Sequence, residues 1–437
     1  MKRTVTVKLQ LSKEQERILF ELADTGAKVW NEVNYLRRRA FFEGKGVDYG
    51  TTEKIVYEKY KREIGSATVQ QICRKNTESW RSFFALLKKS KSGKLPEWFG
   101  KPSPPGYRKG NKKRKPFIIL RNDQYKIEGN RLILKGLGKF GKLGVQFKGR
   151  IHLKGKQGRL EIIYDDVKGK WYAHVSISKV EEKLEGGKWV SVPKTPKGNL
   201  TAGIDLGINN LMAVYVSDGH SFLVNGRPLK SIAFYWQRKI ADYQSELNKN
   251  GKKSSKRLKK YHLKWKLQTR NYVNSSVRQV VRSLHDLGVS KIIVGYPKGI
   301  ARNSGKGRRQ NFLLSRVWLF SYIIQRLREV SEEYGIVVEV VDEAYTSLTC
   351  PFCGRSHYGA RFVRGLYLCP QEGLVLNADL VGAFNILRKA VKTITPNLGG
   401  LLAQGRGNGG KTVPEGLYDP KVVTLVGETP QTSLALG

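Results

Sequence analysis

Apolar and polar positions alternate from the first residues. Val5, Val7 and Leu9 stand at every second place, the period of a half-buried strand. Ser12 followed by Glu14, Gln15 and Glu16 marks a helix start with the serine as N-cap. Helical spacing then runs through Ile18, Leu19, Leu22, Ala27, Val29, Trp30 and Val33. A second helical stretch carries Ile72, Trp80, Phe83, Phe84, Leu86 and Leu87, and the polar faces of both stretches are basic. From about 117 to 182 short alternating runs separated by Gly turns predict a β-barrel or sandwich: Phe117-Ile-Ile-Leu, Arg131-Leu-Ile-Leu, Leu160-Glu-Ile-Ile-Tyr and Trp171-Tyr-Ala-His-Val-Ser-Ile.

The pattern changes at 200. Leu200–Asp205 is an apolar run ending on one Asp, followed by a turn at Gly207–Asn210 and a second strand, Leu211–Val216. The Asp218-Gly219 hairpin signal leads to a third strand, Ser221–Val224. Long helices are predicted over 229–286, a buried strand at Lys291-Ile-Ile-Val-Gly295, a helix over 312–334, and a strand from Gly335 to Glu343. A last helix opens at Asp379. Three antiparallel strands, then helices alternating with strands, make an α/β plan with a mixed sheet. Beyond about 392 the chain is Gly-rich and aperiodic, which predicts a mostly disordered tail.

Two stretches interrupt these blocks: residues 101–115, rich in Pro, Gly and cations, and the polar residues 183–199. The expected organisation is therefore a first strand (1–11), a helical module (12–100), a β-domain (101–182), a linker (183–199), an α/β domain (200–391) and a tail (392–437). A hydrophobic share of 40% over 437 residues supports real cores. No apolar run is long enough for a transmembrane helix, and the alternating start lacks a signal peptide's apolar run. Four Cys, three of them clustered, do not make a disulfide framework, so an intracellular, cytoplasmic protein is expected.

Charge narrows the partner. Lys plus Arg number 80 against 36 Asp plus Glu, a net +44. Such self-repulsion is relieved by a polyanion, and counterion release then drives binding. The charge is spread along the chain rather than gathered on one amphipathic helix, which favours nucleic acid over an acidic membrane. Within 251–270, Lys252, Lys253, Lys256, Arg257, Lys259, Lys260, Lys264, Lys266 and Arg270 occur without one acidic residue, with Tyr261 and Trp265 interleaved. A solvated helix face ordinarily mixes signs. Tyr107, Arg108, Lys112, Lys113, Arg114 and Lys115 form a second candidate contact, and Arg302, Lys306, Arg308 and Arg309 a third.

Two constellations carry chemistry. Asp205 sits in an apolar strand, Glu343 ends another, and Asp379 opens a helix. If the sheet brings these ends together, three carboxylates can hold a pair of Mg²⁺ ions for in-line phosphodiester cleavage, with water as nucleophile. Cys350-Pro-Phe-Cys353-Gly has the spacing of a zinc knuckle. Cys369-Pro-Gln-Glu372-Gly has the shape of its partner, with Glu372 in place of the fourth Cys. The expected site is Cys350, Cys353 and Cys369 with Glu372 or His357 as fourth ligand.

These residues together resemble the TnpB family, insertion-sequence RNA-guided nucleases related to type V CRISPR effectors and Fanzor proteins. Gly203-Ile-Asp-Leu-Gly-Ile resembles its first RuvC motif, Ala344-Tyr-Thr-Ser-Leu-Thr-Cys-Pro-Phe-Cys-Gly its YTSxxCxxCG segment, and Asn377-Ala-Asp-Leu-Val-Gly-Ala-Phe-Asn-Ile-Leu its third RuvC motif. Over 1–182 the likeness rests on Ser12-Lys-Glu-Gln, Trp30-Asn31 and Pro104-Pro105-Gly-Tyr-Arg. The resemblance implies an α+β multidomain chain: a wedge β-barrel interrupted by a helical recognition module, then an RNase H-like RuvC domain with a zinc insertion at about 346–376. It also implies a transposon-associated, prokaryotic, nucleoid-associated protein, monomeric with its guide RNA. Its target would be double-stranded DNA beside a short target-adjacent motif, cut in one RuvC centre.

The chain departs from that pattern. A Glu usually follows the apolar strand of the second motif, whereas Lys291-Ile-Ile-Val is followed by Gly295-Tyr-Pro. One reading is a rearranged site in which Glu343, with Glu339 as the lesser candidate, supplies the carboxylate. The rivals are a nuclease-inactive guided repressor and an unguided nucleic-acid-binding transposition accessory protein.

Overall fold

A computed structural model describes the chain except residues 1, 97–98, 109–115, 152–154, 179–180, 186–187, 193, 297–306, 314–318, 362–364, 392, 398–400, 402–421 and 424–437. Side chains of 181–193, 308–310 and 422–423 are also outside the description. The chain divides into two compact units, Met1–Ser191 and Val192–Gly437.

In the first unit, strand β1 (Lys2–Gln10) buries Val7 and Leu9, as its period-2 pattern dictates. Helix α1 (Lys13–Phe42) starts with a reciprocal cap: Gln15 N–H donates to Ser12 Oγ at 3.2 Å, and Ser12 N–H donates to Gln15 Oε1 at 3.0 Å. Helices α2 (Tyr49–Ile64) and α3 (Ser66–Lys91) follow. The pattern reading passed over α2, although Asp48 caps it and Val56, Tyr60 and Ile64, four residues apart, are buried. Its many Thr and Tyr side chains dilute the helical signal.

The sheet of this unit holds β1, β2 (Phe117–Leu120), β3 (Tyr125–Glu128), β4 (Arg131–Leu134), β5 (Leu143–Lys148), β6 (Lys156–Asp165) and β7 (Lys170–Ser178). It is antiparallel, in the order β2-β6-β7-β1-β5-β4-β3. The expected β-barrel is not what is seen: β2 and β3 remain edges with no ladder between them among the described residues. The helices supply the reason. Leu19, Val33, Val56 and Ile72 share one core with Ile119, Leu132, Val145 and Trp171, so helices cover apolar surface that barrel closure would otherwise bury. The stretch expected as a linker carries a two-stranded ribbon, β8 (Glu181–Glu185) with β9 (Lys188–Val192).

The second unit is built on a mixed sheet. Strand β10 (Leu200–Asp205) pairs antiparallel with β11 (Asn210–Val216), which pairs antiparallel with β12 (Ser221–Asn225). Helices α4 (Arg227–Lys249) and α5 (Lys256–Asp286) lead to β13 (Val289–Tyr296), parallel to β10. A short helix, α6 (Gly307–Phe312), ends where the helix expected over 312–334 was to begin, and α7 (Phe320–Ser331) occupies the middle of that stretch. Strand β14 (Val337–Asp342) is parallel to β13, and the hairpin β15 (Leu366–Cys369) and β16 (Leu374–Asn377) precedes α8 (Ala378–Ala390). The strand order is β14-β13-β10-β11-β12, extended by β17 (Val422–Val423).

Both sheet faces are covered. Met212, Val214 and Val216 of β11 pack into a core with α5 and α7, while Ala213 and Tyr215 pack with α8. That is why β11 reads as an unbroken apolar run. A Cβ at Gly203 would lie 2.2 Å from the carbonyl O of Ala383, so α8 rests directly on β10. The described residues beyond 392 are packed, contrary to the expected tail: Ile394 and Leu401 join the same core as α8, and Asn397 N–H donates to Tyr215 OH at 3.0 Å. Most of the rest of the expected tail lies outside the described residues.

Candidate active site

The carboxylates stand at the C-terminal ends of two parallel strands, β10 and β14, and at the start of a helix. Asp205 is the last residue of β10, Glu343 follows the last residue of β14, and Asp379 lies in the first turn of α8. Asn377 caps that helix, accepting the N–H groups of Asp379 and Leu380, each at 3.1 Å. In register, Ile204 faces Val294 and Gly295 faces Val341, which puts Asp205 and Glu343 on either side of Gly295. The position where the motif reading looks for a Glu is thus a glycine with no room for a side chain. Its Cβ would lie 2.5 Å from Ile386 Cδ1 and 3.3 Å from the Glu343 Cβ.

One face of α8 organises the group. Asp379, Gly382, Ile386 and Lys389 follow at helical spacing. A Cβ at Gly382 would lie only 2.4 Å from Asp205 Oδ2, so the carboxylate packs onto the helix through the missing side chain. Asn210 Nδ2 donates to Asp379 Oδ2 at 2.8 Å. Lys389 Nζ donates to the carbonyls of Asp342 and Ala344, on either side of Glu343.

The site is short of positive charge. Burial pushes the Asp205 carboxyl up to about 7, the negative charges of Asp379 and Glu343 push the same way, and Arg361 opposes them. Burial likewise pushes Glu343 up to about 7, with Asp342 adding and Lys389 opposing. Glu343 Oε2 is buried with no hydrogen-bond partner. These carboxylates are oxygen donors of the kind a hard divalent cation such as Mg²⁺ takes, and the orphaned Glu343 oxygen is one that such an ion would satisfy. Glu339, the lesser candidate, is exposed and ion-paired with Lys291 at 3.0 Å.

Of the two fourth groups expected, the thiols gather with His357 and not with Glu372. Cys350, Cys353, Cys369 and His357 bring their ligand atoms within 4.8 Å of one another. Cys353 Sγ lies 3.0 Å from His357 Nε2 and 3.7 Å from Cys369 Sγ. A tetrahedral zinc with Zn–S bonds of about 2.3 Å separates its sulfurs by about 3.8 Å, so the spacing fits that ion. Glu372 is corrected by this geometry: the residue is exposed and turns its backbone N–H, not its carboxylate, toward Cys369. Thr349 bridges Ser356 in a tight loop, closed by Gly354 at φ 70°, and this folds His357 back over Cys353.

The basic candidates separate into groups. Lys252, Lys253, Lys256, Arg257, Lys259 and Lys260 are all exposed, in the turn before α5 and on its first turns. Tyr261 and Trp265 are half-buried; Trp265 stacks on Phe312 with ring centroids 6.1 Å apart, so these rings anchor the helix. Within the first unit, the Pro-rich element is pinned to α1 rather than solvated. Trp30 Nε1 donates to Gly106 O at 3.2 Å, Asn34 Nδ2 to Pro105 O at 2.9 Å, and Asn31 exchanges two hydrogen bonds with the Arg108 backbone. The Arg108 guanidinium lies over the rings of Trp30 and Phe117, while Tyr107 is exposed. Lys112, Lys113, Arg114, Lys115 and Arg302 fall outside the described residues, as do the side chains of Arg308 and Arg309.

The sequence pointed to no role for Asn210, Gly382, Asn385 or Lys389. The only available signal was their place on the turn after Asp205 and on the helix after Asp379.

With this geometry in hand, the chain can be set beside known proteins. The family model OrfB_IS605, a probable transposase, matches residues 174–301, and that of the Cas12f1-like TNB domain matches residues 320–386. The TnpB-like protein ORF457 of Acidianus two-tailed virus is 38% identical over 421 residues, covering 90% of this chain and 88% of its own. The putative RNA-guided DNA endonuclease InsQ of Escherichia coli (strain K12) is 28% identical over 233 residues, covering 50% of this chain and 54% of its own. Among solved structures, the Cas12f1–sgRNA–target DNA complex aligns over 86% of this chain and 83% of that chain. Its TM-score is 0.55 at 14% identity, a likeness of fold.

Proposed function

The chain belongs to the TnpB-like family, and on that premise we propose that it is an RNA-guided, Mg²⁺-dependent endonuclease that cuts double-stranded DNA at one RuvC-like centre. The observation that carries this reading is the buried Asp205 carboxylate, raised by that burial and by the charges of Asp379 and Glu343 from two neighbouring elements, in a chain of net charge +44. A basic protein that only coats nucleic acid has no use for a buried acidic cluster.

In this reading Asp205, Glu343 and Asp379 hold a pair of Mg²⁺ ions. Bound there, the ions would activate a water molecule and steady the leaving oxygen of an in-line displacement. The protein's own part is orientation. Asn210 engages one oxygen of Asp379 and leaves the other for a ligand. Gly382 lets Asp205 lie against α8, within reach of the charges of both Asp379 and Glu343. The exposed cations at 252–260 take the phosphate backbone, and sequence readout falls to base pairing with a guide RNA.

The first unit would serve as wedge and recognition module, reading a short motif next to the target. The Cys350, Cys353, Cys369 and His357 group would hold a structural zinc, and one chain with its RNA would be the working unit in the prokaryotic cytoplasm.

The test is to purify the full chain with its RNA, reprogram the guide, and incubate a matching plasmid with Mg²⁺. A discrete RNA and target-dependent cutting are expected. Guided binding without cutting in Mg²⁺ or Mn²⁺ would make the protein a repressor. The absence of a discrete RNA would make it an unguided accessory protein.

A further inference from the structure

Glu343 is held differently from Asp205. Asp205 belongs to a strand with ladder partners on both sides, β11 and β13. Glu343 lies one residue past Asp342, the last position of β14 registered with β13. Among the described residues no ladder partner fixes its backbone, and a 1 Å error in a metal-binding group is costly.

Hydrogen bonds from outside the sheet take over. Lys389 Nζ donates to Asp342 O at 2.6 Å and to Ala344 O at 2.9 Å. Thr346 donates its N–H and its hydroxyl to Glu343 O, at 3.1 and 2.7 Å. Asn385, buried one turn before Lys389, donates to Thr346 O at 2.8 Å and to Thr349 O at 2.7 Å. Tyr345 at φ 65° is the sole described non-glycine residue with positive φ. Strain of that kind persists where the surroundings over-determine the backbone.

We infer that Lys389, seconded by Asn385, is a positioning residue: it grips the carbonyls on both sides of Glu343 and so lets a loop glutamate serve as third ligand of the divalent-metal site. The inference rests on the metal-binding reading of the carboxylates, and its logic is that of partners outside the ligand shell that orient a ligand. Because the grip comes from α8, the helix that carries Asp379, the two carboxylates move as one body. A glutamate on a neighbouring strand would need no such grip. Lys389 is therefore the counterpart of Gly295: one residue frees the space, the other fills it with Glu343.

The test compares wild type, Lys389→Met, Lys389→Arg and Asp205→Ala. Mn²⁺ binding to the RNA-free full chain is read by loss of the free-ion EPR signal, with Asp205→Ala subtracting ions bound elsewhere. Guided cleavage is then titrated with Mg²⁺. Lys389→Met should weaken the Asp205-dependent Mn²⁺ site about tenfold or more. The half-saturating Mg²⁺ for cleavage should rise in step, with target binding and the unfolding midpoint unchanged. Lys389→Arg, which can donate to both carbonyls, should recover most of the loss. Wild-type Mn²⁺ affinity and Mg²⁺ dependence in Lys389→Met would overturn the inference and leave the nuclease reading intact. A wild type that binds Mn²⁺ but never cuts would overturn the nuclease reading alone. A wild type that does neither would overturn both.

Discussion

Replacing Gly382 by alanine should separate cutting from binding. The new Cβ would lie 2.4 Å from Asp205 Oδ2, where ordinary contacts begin near 3.4 Å, so one of the two must move by about 1 Å. The helix has little freedom to retreat. Ala383, Phe384 and Leu387 of α8 are fully buried, and the Ala383 carbonyl already sits 2.2 Å from where a Gly203 Cβ would be. The carboxylate therefore gives way. A displacement of about 1 Å in a catalytic group costs on the order of 100-fold in rate. Overpacking of this kind costs about 1–3 kcal/mol, and each kcal/mol lowers the Tm of a unit this size by about 2–4 °C. Single-turnover plasmid cleavage, target binding and thermal unfolding would be measured together. The expected result is a loss of about 100-fold in cleavage with unchanged target affinity. Gly295→Ala is the milder comparison, since its Cβ first meets the movable end of Ile386. Cleavage by Gly382→Ala within threefold of wild type, at an unchanged Tm, would refute the packing argument.

Three further outcomes follow from the same geometry. His357→Ala should lose most of the one zinc that elemental analysis is expected to find in wild type, while Glu372→Ala should keep it; the reverse would restore glutamate as fourth ligand. In Mg²⁺-free buffer, Asp205 and Glu343, raised to about 7 from 3.8 and 4.5, keep protons that the unfolded chain has released. Their contribution to stability is then full below about pH 4 and is lost as the pH rises through about 7. Asp205→Asn should accordingly raise the unfolding midpoint at pH 8 and leave it nearly unchanged near pH 4; equal effects at both would be contrary. Neutralising Lys256, Lys259 and Lys260 to Gln should flatten the plot of log affinity against log salt by about 0.7–0.9 for each phosphate contact removed. An unchanged slope would take these exposed residues out of the interface.

The unequal legibility of the site has a physical cause. Local patterns carried most of the elements: the Ser12 cap, the unbroken apolar runs of β11 and β13, and the Asp379 helix all show in spacing alone. What spacing cannot carry is register. The sequence already put Glu343 ahead of Glu339; register adds that Gly295 faces Val341, with the Glu343 Cβ 3.3 Å from where a Gly295 Cβ would lie. The fourth thiol partner turned on a tight loop that folds His357 back over Cys353, where motif shape alone suggested Glu372. Barrel closure was not legible because strand alternation records a buried face without saying what buries it; among the described residues α1, α2 and α3 cover part of that face. Lys389 and Asp342 are far apart in sequence, and a lysine near a helix C-terminus looks like any dipole-compensating cation.

The central claim is that Glu343 completes a cutting site, and one comparison tests it most directly. Wild type, Glu343→Gln and Glu339→Gln, each loaded with the same guide RNA, are given a matching plasmid and saturating Mg²⁺, with target binding measured alongside. Wild type and Glu339→Gln should cut alike, since Glu339 is an exposed residue in a surface ion pair. Glu343→Gln should bind the target as wild type does and leave it intact. Full cutting by Glu343→Gln would contradict the account.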